Sequence, residues 1–494
     1  MLYPYSYKQI ENVFEELNGR GLLDKKFFDT KNENFQINYL DSKKACVDKK
    51  VELKEAKKME KNGNLKGDKD IETLEKEYED AARTLQEAID QLLEALSNVI
   101  NSRSFHLNYD TVQDPNHEDD PNRLVYFAAD RYTIIASRLI NNEIRHIYKT
   151  ETPDRNAIIR DLVAYLKEPL PKIIIRADIK SFFESIPFEQ LIKELEEDGY
   201  VSRKSMKLLR NMSYRMRNEN NATFIPRGMS FTSSLSEFYL RDIDRKICNL
   251  KGVYFYRRYV DDIVVLANQQ EYNSPEELFN HIQDIVESKN TKGEPELHLH
   301  TSEDQDNKYK AVTVNYDGEP ISFNYLGYNI TVGAVNPSVS LSFTDSKIAN
   351  YKDILNKIFR YYAYYALGSK KKNLHAKKQL YYVLKYLTKN YRLGGSKHTI
   401  LSGVYFNHKN LTDLSCLDQL DDYVHEQVET VVSDKGIRHQ KPIKDKCYID
   451  GVKRTIENNY SFRKGFTDRQ MCKLSSMRIH KIKGLLQWLQ EKEN

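Results

Sequence analysis

Two adjacent aspartates in the middle of a β-rich run constrain this chain more than any other feature. The run is VYFYRRYVDDIVVLAN, residues 253–268, and Asp261 and Asp262 stand at its polar centre. Apolar, β-branched and aromatic residues flank a short polar break, which reads as a β-hairpin, although the centre lacks the usual Asn-Gly pair. A second run, Lys172 to Asp178, follows Pro171 and carries Ile173, Ile174 and Ile175 without interruption. That pattern predicts a buried strand ending in an acid. If strand and hairpin are sheet neighbours, Asp178, Asp261 and Asp262 converge at one edge. Adjacent like charges repel, and a shared cation is one way to tolerate them. Phosphoryl transfer needs this kind of charge stabilisation more than covalent help, and hard divalent ions take oxygen ligands. Taken singly each signal is weak, because an Asp after a strand is commonly a turn or cap residue.

The surrounding pattern sets the fold class. Residues 1–110 read as mostly helical, with a charged break at Asn62, Gly63, Asn64 and Gly67, and apolar residues from Ile71 to Leu96 recurring every three or four positions. A polar loop with two prolines occupies 113–123. Helical segments are expected near 127–148, 154–167, 188–197 and 232–249, and one further strand over 321–332. From Thr344 the pattern turns helical and stays so, with Thr344, Asp345 and Ser346 as cap candidates and Gly394 and Gly395 ending a second helix. The order of elements predicts an α+β fold with an antiparallel sheet, a helical N-terminal extension (1–112), a central domain (113–343) and an all-α C-terminal domain (344–494).

Four segments occur in sequence: IIIRADIKSFFESI, IPRGMSFTSSLSEFYL, FYRRYVDDIVVLA and FNYLGY. This series resembles the reverse transcriptase family over roughly residues 125–335, and within it the bacterial antiviral and abortive-infection group. The resemblance implies a fingers–palm domain that joins deoxynucleotides on an RNA template, giving DNA. It implies Asp178, Asp261 and Asp262 as catalytic acids, with Ile179 joining them around two Mg²⁺ ions, for which Mn²⁺ can substitute. It places Ile179, Phe183, Arg227, Gly228 and Arg131 at the incoming nucleotide. Phe183 would be an aromatic gate that collides with a 2′-hydroxyl, with Phe182 facing the core; the competing reading puts both rings in the core. Arg131 would reach the triphosphate or template, a surface ion pair being the competing reading. The resemblance further implies a role in antiviral defence, a dedicated noncoding RNA as template, priming by a protein side chain, and room for a homo-oligomer. Template-independent synthesis by the same site and an inactive nucleic-acid-binding scaffold compete with this reading.

The chain departs from the family pattern in two places. Many relatives carry PQG where Pro226, Arg227 and Gly228 stand, and LHLHTSEDQDNKYK replaces an Asn-x-x-Lys-Thr string, leaving Lys308 and Lys310 as candidates for the phosphate-contacting lysine. Arg257 and Arg258 flank the hairpin and could meet phosphates, pairing with surface acids being the competing reading.

Bulk composition adds little about partners. The 76 Lys and Arg nearly cancel the 72 Asp and Glu, leaving +4, so any phosphate-binding surface must come from local clustering, for which the basic C-terminal tail from Arg463 to Lys483 is a candidate. The 34 tyrosines can stack on bases or fill half-wet faces. Five scattered cysteines with no CxxC pair argue against a zinc knuckle and fit a reducing cytoplasm. No segment reads as a signal peptide or approaches the roughly 20 apolar residues that span a bilayer.

Overall fold

A computed structural model describes residues 5–491 except 20–22, 24, 29–33, 62–69, 115–122, 151–152, 292–294, 305–307, 317, 336, 367–369, 394–399 and 433–445. The expected break at Asn62, Gly63, Asn64 and Gly67, most of the 113–123 loop, and Gly394 and Gly395 lie outside the described residues.

In chain order the elements are α1 (Tyr7–Gly19), α2 (Lys25–Phe28), α3 (Asn34–Lys61), α4 (Ile71–Asn101), β1 (Tyr109–Gln113), β2 (Leu124–Ala128), α5 (Arg131–Tyr148), α6 (Arg155–Leu166), β3 (Lys172–Asp178), α7 (Phe188–Asp198), α8 (Arg203–Asn220) and α9 (Thr232–Cys248). They continue with β4 (Val253–Tyr259), β5 (Asp262–Asn268), α10 (Pro275–Glu287), β6 (Lys310–Val314), β7 (Ile321–Tyr325), β8 (Tyr328–Val332), β9 (Val339–Phe343), α11 (Asp345–Ala366), α12 (Lys370–Thr388), β10 (Asn390–Leu393), β11 (Ile400–Gly403), α13 (Ser415–Gln427), α14 (Lys446–Asn459), α15 (Phe462–Thr467) and α16 (Ser476–Glu491).

The chain divides into two compact units. One comprises residues 1–151, 181–240 and 290–296; the other comprises 152–180, 241–289 and 297–494. In the first, α3 and α4 pack as the expected helical pair. Asp70 caps α4 by accepting from the Thr73 N–H at 2.7 Å, and Leu92, Leu93, Leu96 and Ile100 form its buried stripe. The helix expected from 127 starts later. Residues 124–128 instead form β2, paired antiparallel with β1, and Asp130 caps α5 through the Thr133 N–H. The apolar run LVYFA merges with the helical pattern in sequence, and only the cap separates them. Helix α8 has no counterpart among the expected elements, although Ser202 is a plain N-cap and Met206, Leu209, Met212 and Met216 fall on one buried face.

In the second unit a four-stranded sheet has the order β4-β5-β3-β6, every pair antiparallel. All seven residues of β3 are buried, as the uninterrupted isoleucines require. The single strand expected over 321–332 is two. Strands β7 and β8 turn back at Leu326 and Gly327, both in the left-handed region at φ 46° and 72°, and β9 completes a three-stranded sheet. A glycine there allows a two-residue turn that an unbroken apolar pattern conceals. The C-terminal region is helical but not wholly so: β10 and β11 form a hairpin. One hydrophobic cluster runs from Ile174, Val264 and Leu266 of the four-stranded sheet through Phe323, Ile330 and Leu341 to Leu355, Ile358, Leu380 and Leu420 of the C-terminal helices. Among the described residues no helix is long and apolar enough to cross a membrane.

Candidate active site

The register of the sheet builds the site. In the β3–β5 pair Asp178 stands directly opposite Asp262. Paired residues of an antiparallel ladder project to the same face with Cβ atoms about 4.5–5.5 Å apart. Asp261 lies with Val260 in the two-residue turn between β4 and β5, and one carboxylate oxygen from each of Asp178, Asp261 and Asp262 lies within 4.8 Å of the others. The turn is tight. Val260 sits at φ 61°, a left-handed conformation that a β-branched residue adopts at a cost of about 1–3 kcal/mol.

Charges surround the trio. Arg176, on the same face of β3 and 8% exposed, donates to Asp262 Oδ1 at 2.7 Å. Lys308 Nζ donates to Asp178 Oδ2 at 2.8 Å, and His300 Nε2 lies 3.5 Å from the same oxygen. The segment carrying His300 is held to the end of β3 by two backbone bonds, from Lys180 N to His298 O and from His300 N to Asp178 O. Asp304 accepts from Lys180 Nζ at 2.9 Å, which lowers the Asp304 carboxyl to about 2. Burial, then the charges of Asp178 and Asp262, push the Asp261 carboxyl up to about 6. Asp262 is also raised, by burial first and Asp178 after, with Arg176 opposing.

This donor set fits a hard divalent cation. It offers only oxygen ligands, its acids are partly desolvated, and their mutual repulsion is relieved by a positive charge among them. Ile179 is 2% exposed and its N–H donates to Asp261 O at 3.2 Å; its carbonyl is the one group it could offer an ion.

Other expected residues take specific places. Of the two lysine candidates, Lys308 reaches Asp178, while Lys310 opens β6 opposite Arg176. Arg258, expected to meet phosphates, is 6% exposed and holds both carboxylate oxygens of Asp244 at 2.8 and 2.7 Å. Arg257 stays half-exposed, 3.8 Å from Asp161. Phe182 and Phe183 lie in a turn rather than on a strand, yet Phe182 is 4% exposed and Phe183 only half-buried, their rings 5.0 Å apart. Arg227 Nη1 bonds the buried Asp114 at 2.8 Å and lies 3.8 Å from Glu184. Gly228 has φ 99°, and a Cβ there would stand 2.6 Å from the Tyr126 carbonyl, so the glycine is required where this loop pairs with β2. Arg131 departs from its expected place. It is fully buried at the first turn of α5 and its guanidinium donates to Gln36 Oε1 at 2.6 Å, because Asp130 caps the helix and the next side chain turns into the helical core. In the basic tail, Arg463 pairs with Asp418, and Arg469 and Arg478 stack on Tyr405 and Tyr382.

Sequence reading missed Arg176, His300, Asp304 and Asp244. Arg176 alone carried a signal: a charge inside an apolar strand needs a buried partner.

The description "Reverse transcriptase (RNA-dependent DNA polymerase)" matches residues 81–330, just over half of the 494. The chain belongs to the reverse transcriptase family. That family carries out RNA-directed DNA polymerisation, a nucleotidyl transfer. No curated protein matches the chain. Among solved structures, telomerase of Candida albicans in complex with a TWJ fragment of telomeric RNA is similar at 12% identity and TM-score 0.29, over 72% of this chain and 56% of that one. The Candida tropicalis telomerase complex gives 11% and 0.30 over 72% and 55%. A truncated apo form from Candida tropicalis gives 10% and 0.29 over 42% and 44%. The chain thus spans about half the length of the solved chains it matches.

Proposed function

We propose that this reverse transcriptase family member is an RNA-directed DNA polymerase that joins deoxynucleotides by two-metal transfer at Asp178, Asp261 and Asp262. The observation that carries the proposal is the convergence of those three carboxylates within 4.8 Å on one sheet edge. Two Mg²⁺ ions, or Mn²⁺ in their place, would be held by the trio with the Ile179 carbonyl; such ions supply Lewis-acid stabilisation of the attacking and leaving oxygens. The chain's own residues set the charge around that site. Arg176 fixes the Asp262 carboxylate, and Lys308 offers a half-exposed cation beside Asp178. Phe183 acts as the sugar gate, its half-exposed ring supporting that role, and Arg227 and Gly228 form the loop beside the nucleotide.

The finer reading is a defence-associated enzyme of the bacterial antiviral group, cytoplasmic, templated by a dedicated noncoding RNA and primed by one of its own side chains, with a homo-oligomer as a further possibility. Its support is the motif series, above all PRG followed by LSEFYL, and the helical C-terminal region. The sequence boundaries at 112/113 and 343/344 belong to the same reading.

The test is nucleotide incorporation by the purified chain with its bound RNA and Mg²⁺. D261N should reduce incorporation on the order of a thousandfold while the thermal transition remains; activity equal to wild type would remove the assignment. F183A should admit ribonucleotides, cutting discrimination roughly 10–200-fold, and an unchanged sugar preference would exclude the gate. Sequencing product before and after RNase and protease treatment separates templated from untemplated synthesis and reveals any link to protein.

A further inference from the structure

The turn that carries Asp261 is locally unfavourable, yet it must hold two carboxylates in register with Asp178. Val260 lies at φ 61°, where glycine or asparagine is the usual occupant. Something must fix the backbone there. Arg258 is the last but one residue of β4 and pairs with Ile263, so its side chain leaves the sheet on the face opposite Asp262. Its guanidinium is almost fully buried. Nη1 donates to the Val260 carbonyl at 2.8 Å, while Nε and Nη2 grip Asp244 Oδ1 and Oδ2 at 2.8 and 2.7 Å. Asp244 belongs to α9, and Tyr256 Oη donates to its Oδ1 at 2.5 Å. A rigid fork bound at both ends spans helix and turn, a geometry that the flexible ammonium of lysine does not reproduce.

We propose that Arg258, locked by Asp244, is a positioning residue: it braces the strained Val260 turn from behind and so sets where Asp261 and Asp262 stand. Its side chain leaves the sheet on the face opposite Asp262, and it acts through the Val260 carbonyl. The proposal rests on the polymerase reading for its kinetic arm and on the acids alone for its binding arm.

R258K keeps the charge and loses the fork. Its kcat for deoxynucleotide incorporation should fall about 10–100-fold, the usual effect of removing a group that orients metal-binding residues, with the nucleotide KM unchanged. Mn²⁺ affinity, followed by electron paramagnetic resonance without turnover, should weaken in parallel. D244N should do the same more mildly, and serves if R258K does not fold. The decisive variant is V260G in the R258K background. Glycine accepts the positive φ without a brace, so the double variant should recover much of the lost Mn²⁺ affinity and kcat. Wild-type kcat and Mn²⁺ affinity in R258K would overturn the proposal. So would losses that V260G fails to rescue and that simply track a lowered melting temperature. If the wild-type chain incorporates nothing, the polymerase reading fails, and the Mn²⁺ comparison still decides the brace.

Discussion

Burial and the charges of Asp178 and Asp262 hold the Asp261 carboxyl up to about 6, against an ordinary 3.8. An acid with a raised folded-state pKa contributes stability that is fully present below its unfolded value and lost as pH rises through the folded one. Protein stripped with EDTA should therefore lose stability as pH climbs from about 3.8 to about 6. A divalent cation competes with the proton for the same oxygens. The melting-temperature gain from Mg²⁺ should accordingly be small below pH 6 and grow through it, and D261N should flatten that rise. A gain that is level across this range would contradict a cation at Asp261. At this scale the three acids were legible from the sequence because strand pattern and paired aspartates marked them and the four-segment series, by its resemblance to the family, brought them together. Arg131 was not, since its burial depends on Gln36 nearly a hundred residues earlier, and a basic residue at a helix start reads the same whether it faces solvent or core. Asp244 was equally hidden: it sits one turn from the end of α9 among other charged residues, and only the fold brings Arg258 to it.

At the scale of elements, periodicity found what stood alone and blurred what stood together. Strand β3 was plain, because Ile173, Ile174 and Ile175 run unbroken after Pro171, and the structure buries all seven of its residues. The β4–β5 hairpin was visible without Asn-Gly, although its turn takes a positive φ at Val260, whose carbonyl accepts from Arg258. The β7–β8 hairpin was read as one strand since Leu326 and Gly327 interrupt neither the alternation nor the apolar content enough to mark a turn. Hairpin β10–β11 escaped for a different reason. Its anchor is tertiary: Asn390, fully buried, donates from Nδ2 to the Gly465 carbonyl at 2.9 Å and accepts from Tyr405 N at 2.9 Å, so the strand is specified by chain far from it. Local propensity is a weak prior against such contacts.

Across the second unit, one face of the β3–β5 pair serves two purposes. Ile174 and Leu266 point into the cluster shared with the C-terminal helices, while Asp178 and Asp262 stand farther along that same face. The residues after 343 thus complete the apolar cluster that begins on this sheet and continues through Phe323, Ile330 and Leu341. Leu355, Ile358, Phe359, Leu380, Val383, Leu384, Leu417 and Leu420 are all buried in that cluster. Each such side chain contributes about 1.5–3 kcal/mol on burial, and deleting them uncovers apolar partners in a unit whose stability is on the order of 5–15 kcal/mol. A chain ending at residue 343 should therefore not leave a working sheet. It should bind a hydrophobic dye, show no cooperative thermal transition for this unit, and incorporate no nucleotide. A truncated chain that stays monomeric, melts sharply and binds Mn²⁺ as the full chain does would show that the sheet owes nothing to those helices.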